Sequence, residues 1–148
     1  MAELVIKEVD FSEHFADIEK IRTTVFIKEQ NVPFELEWDE YDSESVHILA
    51  CLNNVPVGTA RLLKSGHIGR MAVLKEYRNQ GVGRAILKYV LNLALTKSFP
   101  EICLSAQEHA VEFYKKAGFK VTSEVYMDAG IPHYDMVYTG SQKKAESN

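Results

Sequence analysis

The stretch Leu74-Lys-Glu-Tyr-Arg78-Asn-Gln-Gly81-Val-Gly83-Arg84 lies between an apolar run and a long amphipathic pattern. Its two glycines stand where the pattern changes from alternation to a period of three to four residues, so they mark the start of a helix. A helix start presents unpaired backbone N–H groups, and glycines let an anion approach them closely. The loop from Arg78 to Arg84 therefore predicts an anion-binding turn.

Two known phosphate-binding patterns do not fit this loop. A P-loop would end in Gly-Lys-Ser or Gly-Lys-Thr, which is absent here. A dinucleotide fingerprint Gly-x-Gly-x-x-Gly would need a third glycine where the chain has Ile86. Taken alone, the glycine pair is equally compatible with a turn that only begins a helix, and at this point both interpretations stay open.

The segments next to the loop predict a helix on one side and strands on the other. Downstream, Val82, Ile86, Val90 and Ala94 recur every four residues, which predicts a helix over 81–97. Upstream, three apolar runs are separated by short polar turns, a pattern typical of an antiparallel meander. The predicted meander strands are 46–52, 55–63 and 67–74.

The rest of the chain alternates between strands and helices. A first strand, a helix capped by Ser12 and an acidic surface segment precede the meander. Because the helix over 81–97 joins strand 67–74 to the next strand, these two strands should run parallel. The other predicted strands are 4–9, 101–106, 119–127 and 131–138, the second late helix is 108–117, and the surface segment is 34–45.

This order of elements predicts one α+β domain over residues 1–140, built as a mixed sheet with helices packed on its faces. The polar segment 141–148 is predicted to be a disordered tail. The chain has 148 residues, of which 46% are hydrophobic and 26% charged, a globular composition. We therefore expect a single domain with a sizeable core.

Composition also excludes several classes of function. The net charge is -4 and no long basic patch is present, which argues against nucleic acid as a partner. No apolar run is long enough to span a membrane and no leader is evident, so we expect a cytoplasmic protein that does not bind a membrane. Cys51 and Cys103 lie in apolar runs, which predicts free, buried, inert thiols, and no ligand spacing predicts a metal site.

Two motifs resemble those of the GNAT superfamily of N-acetyltransferases. The first is Arg78-x-x-Gly81-x-Gly83 after a strand that ends Met71-Ala-Val-Leu74, and the second is the run from Ala110 to Phe119. The resemblance implies the acyl-CoA N-acyltransferase fold, a mostly antiparallel sheet with one parallel, splayed strand pair. It also implies acetyl-CoA as the co-substrate.

A narrower resemblance involves the first helix and the last strand. The stretch from Ile21 to Pro33 and the run Gly130-Ile-Pro-His133 resemble the bacterial subgroup related to ElaA and YjcF. Membership of this subgroup does not by itself supply an acceptor.

The superfamily resemblance implies a donor site when its motifs are carried across by position. The pantetheine arm would pair with the strand segment Met71-Ala72-Val73, and Gln107 takes the place of an asparagine that touches the pantetheine amide in many relatives. The pyrophosphate would meet the loop residues Arg78, Asn79, Gln80, Gly81, Val82, Gly83 and Arg84.

The same resemblance implies a general acid and leaves the base open. Tyr114 occupies the superfamily's position for the acid that protonates the departing CoA thiolate, and the alternative is a packed aromatic on the helix. Some relatives use a glutamate on the third meander strand as the base, but in this chain that strand carries Arg70 and no acidic residue. His133 is the substitute that we expect as base, because imidazole titrates near neutral pH, and the alternative is a surface histidine in a hairpin.

The acceptor side has weaker signals. We expect Arg22, Glu37, His47 and His133 to contact the acceptor, while a solvated acidic face and a structural His47 remain the alternatives. The predicted function is transfer of an acetyl group from acetyl-CoA to a primary amine, on a small molecule or a protein, by direct attack in a ternary complex. The alternatives are a catalytically inactive acyl-CoA-binding regulatory domain and a different acyl donor. Exposed strands are compatible with a homodimer.

Overall fold

The computed structural model of the chain describes residues 3–140, which form one eight-stranded sheet with helices on both of its faces. The predicted disorder of 141–148 lies outside the described residues. The strands are β1 (Leu4–Val9), β2 (Val46–Leu52), β3 (Val55–Leu62), β4 (His67–Val73), β5 (Cys103–Gln107), β6 (Phe119–Val121), β7 (Tyr126–Asp128) and β8 (Ile131–Tyr138).

The helices divide between the two faces of the sheet. One face carries α1 (Phe15–Arg22), which continues as a π-helical segment (Thr23–Glu29) and packs on Leu49 and Ala72. The other face carries α3 and α4, which pack on Ile48 and Leu104 among other core side chains. The remaining bounds are α2 (Phe34–Glu37), α3 (Val82–Leu95), α4 (Val111–Lys116), and short 3₁₀ turns at Lys75–Tyr77 and Glu108–Ala110.

The strand order is β1-β2-β3-β4-β5-β8-β6, with β7 also paired to β8. All neighbouring pairs are antiparallel except β4 and β5, which run parallel because α3 crosses over between them. This arrangement confirms the predicted α+β fold, with one parallel pair in a mostly antiparallel sheet.

The parallel pair separates soon after it begins. Register is kept only at His67 with Cys103 and at Ile68 with Leu104. Just beyond, β4 contains a bulge, because the step from Thr59 to Arg61 on β3 faces the longer step from Ala72 to Gly69 on β4. Bulges bend a strand and increase its twist, so β4 turns away from β5 and a gap opens between their carboxyl ends.

The long helix α3 is fixed against β3 by a close contact. A Cβ placed on Gly58 would lie 2.7 Å from Cδ1 of Ile86 and 3.1 Å from the Ala72 carbonyl oxygen, so a side chain there would force its neighbours to shift. Ile86 and Val90 are fully buried, as the four-residue spacing predicts. This contact fixes how closely α3 packs against the sheet and so positions the N-terminus of α3 at the open end of β4.

Some predicted elements are wrong in detail. Ser12 does not cap α1, since its hydroxyl donates to the Asp10 carboxylate and the helix begins only at Phe15. The strand predicted over 119–127 is two strands, because the Ser123 hydroxyl accepts the Asp135 backbone N–H and replaces a ladder hydrogen bond.

Burial also differs from expectation in the acidic segment and at the cysteines. The segment 34–45 begins with the short helix α2, but Glu37 and Asp42 are buried rather than at the surface. Cys51 and Cys103 are free, as predicted, yet only half-buried. Burial raises the pKa of both thiols, which keeps them protonated and poorly nucleophilic.

Between residues 3 and 140, no helix combines the length and the apolar character needed to cross a bilayer. Over the same range, no cluster of His, Cys, Asp and Glu side chains could hold a metal ion.

Candidate functional site

A cleft of about 1040 Å³ occupies the gap between β4 and β5. The π-helical segment and α2 border it on one side, the start of α3 and α4 border it on another, and the β7–β8 hairpin closes its far end. Most residues predicted for the site line this cleft, namely Met71, Ala72, Val73, Arg78, Asn79, Gly81, Gly83, Arg84, Gln107, Tyr114, Glu37 and His133. Four predicted residues do not line it, namely Gln80, Val82, Arg22 and His47.

The turn before α3 has the geometry of an anion site. Gly81 precedes the helix with a φ of 85° and Asn79 has a φ of 63°, both in the left-handed region. No side chain caps the start of α3 and no acidic residue stands in its first turn, so its backbone N–H groups are free of side-chain partners within the described range. A Cβ on Gly81 would meet nothing within 4 Å, so glycine serves the backbone conformation rather than a close approach.

Arg78 and Arg84 take different roles in this turn. Arg78 Nε donates to the Val73 carbonyl at 2.9 Å, and its guanidinium binds both oxygens of Glu29 at 2.6 and 2.7 Å. These hydrogen bonds hold the pKa of Glu29 below its ordinary value. Arg78 thus ties the π-helical segment to the end of β4 with its charge balanced, whereas Arg84 is exposed and forms no ion pair in the part of the chain that is described.

Tyr114 lies on α4 with its ring wedged between Phe113 and Phe119, at centroid distances of 5.1 and 6.2 Å. Burial raises the pKa of its phenol to about 12. The hydroxyl is therefore protonated throughout the physiological range. Among residues 3–140 it has no hydrogen-bond partner, and Tyr114 lines the cleft, so the hydroxyl is available there as a donor.

His133 lies on β8 and is 9% exposed. Its Nδ1 is 2.7 Å from the Ile131 carbonyl, and because a carbonyl only accepts, Nδ1 carries the proton. In the neutral ring, Nε2 is then the proton acceptor. The Tyr126 ring stacks on the imidazole, and its phenol donates to Asp135 at 2.6 Å and lies 2.8 Å from the Ser105 hydroxyl.

The Gln107 amide is held by neighbours on both sides. Its Nε2 donates to Gln30 Oε1 at 2.9 Å, and its Oε1 accepts from His109 Nε2 at 2.7 Å. It therefore bridges the end of the π-helical segment to the turn before α4. In this arrangement Gln107 fixes the width of the cleft at the carboxyl end of β5.

Behind the cleft lies a set of three arginines and three carboxylates, which we call the ionic cluster; four of its members are buried, whereas Arg70 and Asp39 are partly exposed. Arg22 contacts Glu37 at 2.6 Å and Asp42 at 2.8 Å. Arg61 contacts Asp39 at 2.7 Å and Asp42 at 3.0 Å. Arg70 connects the two pairs, since it contacts Asp39 at 3.2 Å and Glu37 at 3.5 Å. The formal charges cancel within the cluster, so it presents no net charge to the cleft.

Two residues that we expected at the acceptor instead support this wall. Arg22 is fully buried, and its guanidinium also lies 4.2 Å from the centre of the Trp38 ring. His47 Nε2 donates to the Asp42 carbonyl at 2.7 Å, its ring stacks on Phe11, and burial lowers its pKa. Neither side chain reaches the cleft, so we assign both to the structure of the wall, in agreement with the alternative raised for His47.

Glu37 reaches the cleft, but its carboxylate is committed to arginines. It faces Arg22 and Arg70 and is 3% exposed, so it has little freedom to contact an acceptor directly. Burial raises the pKa of this carboxyl against the opposing effect of Arg22 and Arg70.

Sequence reasoning missed several residues that shape the site. Glu29 and Gln30 were within the Ile21–Pro33 motif, but nothing in the sequence identified Arg78 and Gln107 as their partners. The roles of Tyr126, Asp135 and Ser105 depend on the pairing of β5, β7 and β8, which the sequence does not specify.

Comparisons with known proteins agree with this geometry. Residues 11–139 match the profile of a family described as acetyltransferase (GNAT) domain. The chain is 43% identical over 129 residues to the N-acetyltransferase YjcF of Bacillus subtilis, which covers 84% of this chain and 92% of that protein. It matches the crystal structure of Escherichia coli ElaA with a TM-score of 0.79 and 31% identity, over 93% of this chain and 99% of that one.

A more distant structure shares the fold alone. An Arabidopsis thaliana protein, solved in complex with the bisubstrate analogue CoA-Ac-MVNAL, matches with a TM-score of 0.72 and 23% identity, over 93% of this chain and 99% of that one.

Proposed function

Because this chain belongs to the GNAT family of acetyltransferases, we propose that it transfers the acetyl group of acetyl-CoA to a primary amine by direct attack within a ternary complex. The matches confirm the family and the ElaA- and YjcF-like subgroup that the motifs indicated. The observation that carries the proposal is that the β4–β5 gap, the glycine turn, Tyr114 and His133 all border one cleft.

The donor would lie in the gap. Beyond Ile68, β4 has no partner strand on its β5 side, so the backbone groups of Met71–Val73 that face this side lack a strand partner, although the Val73 carbonyl accepts from Arg78 Nε. The amides of a pantetheine arm supply the matching donors and acceptors. The free N–H groups at the start of α3, together with exposed Arg84, suit the pyrophosphate. One backbone N–H of Met71–Val73 would also stabilise the oxyanion that forms as the thioester carbonyl is attacked.

Tyr114 would protonate the departing CoA thiolate. A phenol with a raised pKa is a weaker acid in water, but the same burial raises the pKa of a thiol formed beside it, because burial disfavours both anions. The relative driving force for proton transfer is therefore preserved. The free hydroxyl has no competing acceptor nearby within the described residues, which leaves it available for this step.

His133 would take the proton from the amine, directly or through a water molecule. Attack on the thioester needs the amine lone pair, so an ammonium must first lose a proton. Nε2 is the acceptor nitrogen of this imidazole because Nδ1 donates to Ile131. The acceptor would enter between α2 and the β7–β8 hairpin, and this opening suits either a small amine or an amine at the end of a protein chain.

A bisubstrate analogue bound by the Arabidopsis protein of the same fold supports a mechanism in which both substrates are held together. No cysteine of the described range lies in a setting that would favour a covalent acetyl-enzyme, since burial raises the pKa of both Cys51 and Cys103.

The experiment that tests the proposal is a thiol-release assay with acetyl-CoA against a panel of small amines and peptide amines. Turnover with any member supports transfer, and mass spectrometry of the product identifies the acetylated nitrogen. Binding of acetyl-CoA without turnover on any amine would favour the inactive acyl-CoA-binding alternative. Failure to bind acetyl-CoA at millimolar concentration would overturn the proposal.

A further inference from the structure

Arg70 has an unusual backbone conformation for its residue type. It lies in the β4 bulge with a φ of 48°, in the left-handed region that non-glycine residues rarely adopt. Strain of this kind persists only where surrounding contacts hold it in place, and it concentrates at functional sites. The contacts that hold Arg70 come from a different part of the chain.

The Arg70 side chain reaches from the bulge to the end of α2. Its Nε donates to the Glu37 carbonyl at 3.1 Å, and its Nη2 donates to the Leu36 carbonyl at 3.3 Å and to Asp39 Oδ2 at 3.2 Å. The carbonyls at the end of a helix lack partners within the helix, so Arg70 acts as a side-chain cap for α2.

Arginine side chains supply the main polar contacts that hold α2 in place. It has only four residues, and the side chains of Phe34 and Leu36 are 64% and 55% exposed. Arg22, from α1, donates to the Glu37 carbonyl at 2.7 Å and to the Glu37 carboxylate at 2.6 Å. Of the two arginines that hold this carbonyl, Arg70 is the one whose own backbone forms the β4 bulge.

We propose that Arg70 is a positioning residue that ties α2, one wall of the acceptor opening, to the bulge in β4, so that a ligand bound along β4 also orders α2. The ordering of α2 by a bound ligand, which we call the coupling, rests on the proposed binding of acetyl-CoA along β4. The attachment of α2 to the bulge by the Arg70 side chain, which we call the tether, does not.

Hydrogen–deuterium exchange followed by mass spectrometry tests both parts, with CoA as the ligand. The variants are Arg70→Gly, which keeps the left-handed backbone but removes the side chain, and Arg70→Lys, which keeps the charge but not the planar fork. Lys64→Ala, at an exposed side chain, is the control. Exchange in β2 and the thermal midpoint report whether each variant folds.

In the free proteins, we expect the amides of 34–42 to exchange roughly tenfold faster in Arg70→Gly and Arg70→Lys than in the wild type or the control. The reason is that the local opening of α2 requires less free energy without the Arg70 contacts. With CoA, the wild type should gain protection both at 78–84 and at 34–42. Arg70→Gly should gain it at 78–84 only.

If the amides of 34–42 exchange at the wild-type rate in free Arg70→Gly, the tether is overturned. If they exchange at the wild-type rate in free Arg70→Lys, the planar guanidinium is not required for it. Protection of the wild type at 78–84 without any at 34–42 would overturn the coupling. Protection at neither segment would remove the proposed donor site and the coupling with it, while the tether would still be judged from the free proteins.

Discussion

The ring of Tyr126 lies nearly parallel to the ring of His133, with 6.0 Å between their centroids and 25° between their planes. The Tyr126 phenol is itself fixed by Asp135 and Ser105, and Nδ1 of the imidazole donates to the Ile131 carbonyl. The imidazole is therefore held on two sides, as a proton acceptor with a fixed Nε2 requires.

We expect His133→Gln to lower kcat by about a hundredfold, because a positioned base contributes roughly that factor. Thiol release with one amine at fixed pH measures this loss. His14→Gln, outside the cleft, is the control, and wild-type turnover in His133→Gln would assign the base elsewhere or to water.

Tyr114→Phe should lower kcat at least ~tenfold with little change in the acetyl-CoA KM, because only the acidic proton is removed. The raised pKa of the Tyr114 phenol, about 12, also predicts how the rate depends on pH. The acid form is the active one and is lost only as pH rises through that value, so the wild-type rate should not fall between neutral and mildly alkaline pH because of Tyr114. Tyr138→Phe, outside the cleft, should behave as the wild type, and equal turnover in Tyr114→Phe would remove this residue from the mechanism.

Arg84→Ala should weaken acetyl-CoA binding by roughly three- to tenfold, because an exposed charge near a phosphate contributes about 1 kcal/mol in water. The loss should shrink as salt is added. Calorimetric titration at low and high ionic strength measures this, with Lys88→Ala on the exposed side of α3 as the matched control. An equal affinity loss in both variants would indicate a general charge effect rather than a contact at the turn.

Gly58→Ala should lower the free energy of unfolding by about 1–3 kcal/mol, the usual cost of forcing extra volume into a close-packed core. The added Cβ would clash with Ile86 Cδ1 and approach the Ala72 carbonyl at 3.1 Å. Gly83→Ala is the comparison, because its Cβ would make only ordinary contacts at 3.8 Å. Urea unfolding of both variants measures the difference, and equal stabilities would show that α3 can shift freely.

Asp42→Asn should cost about 3 kcal/mol near neutral pH, because it leaves buried arginines short of a partner. Burial raises the pKa of Asp42, but Arg22 and Arg61 outweigh it and the net pKa is lowered. A lowered folded-state pKa stabilises the protein above the unfolded value of about 3.9, and this contribution is lost as pH falls through the folded value.

Urea unfolding from neutral pH into the acid range should therefore show a shallower loss of stability in Asp42→Asn than in the wild type. Glu44→Gln, at an exposed carboxylate, is the control. Parallel pH curves for the wild type and Asp42→Asn would show that Asp42 does not titrate differently on folding.

The main helices and strands could be predicted from the sequence because the patterns that indicate them are local. The four-residue spacing from Val82 to Ala94 defines α3, and the glycines before it mark where the helix begins. The parallel pairing of β4 with β5 follows from the intervening helix alone. These features need only neighbouring residues to be recognised.

The ionic cluster could not be predicted because it joins segments far apart in the chain. The acidic residues of 34–45 have the composition of a solvated surface, and only the fold brings Arg61 and Arg70 from two strands to meet them. Likewise, the residue with a positive φ in the bulge is Arg70 rather than the neighbouring Gly69, so the sequence does not show which residue adopts this conformation. For the same reason the sequence did not show that Arg22 and His47, which we expected at the acceptor, contact the buried acidic residues and do not line the cleft.

The two register pairs that join β4 to β5 have a consequence for the stability of the whole molecule. Only these two residue pairs join the two halves of the sheet, which have four strands each. Beyond them, the opening between β4 and β5 widens like a wedge. A pantetheine arm in that wedge would act as a surrogate strand and complete the sheet. The substrate would then stabilise the folded enzyme, and the heat resistance of this protein should follow the cellular supply of acetyl-CoA.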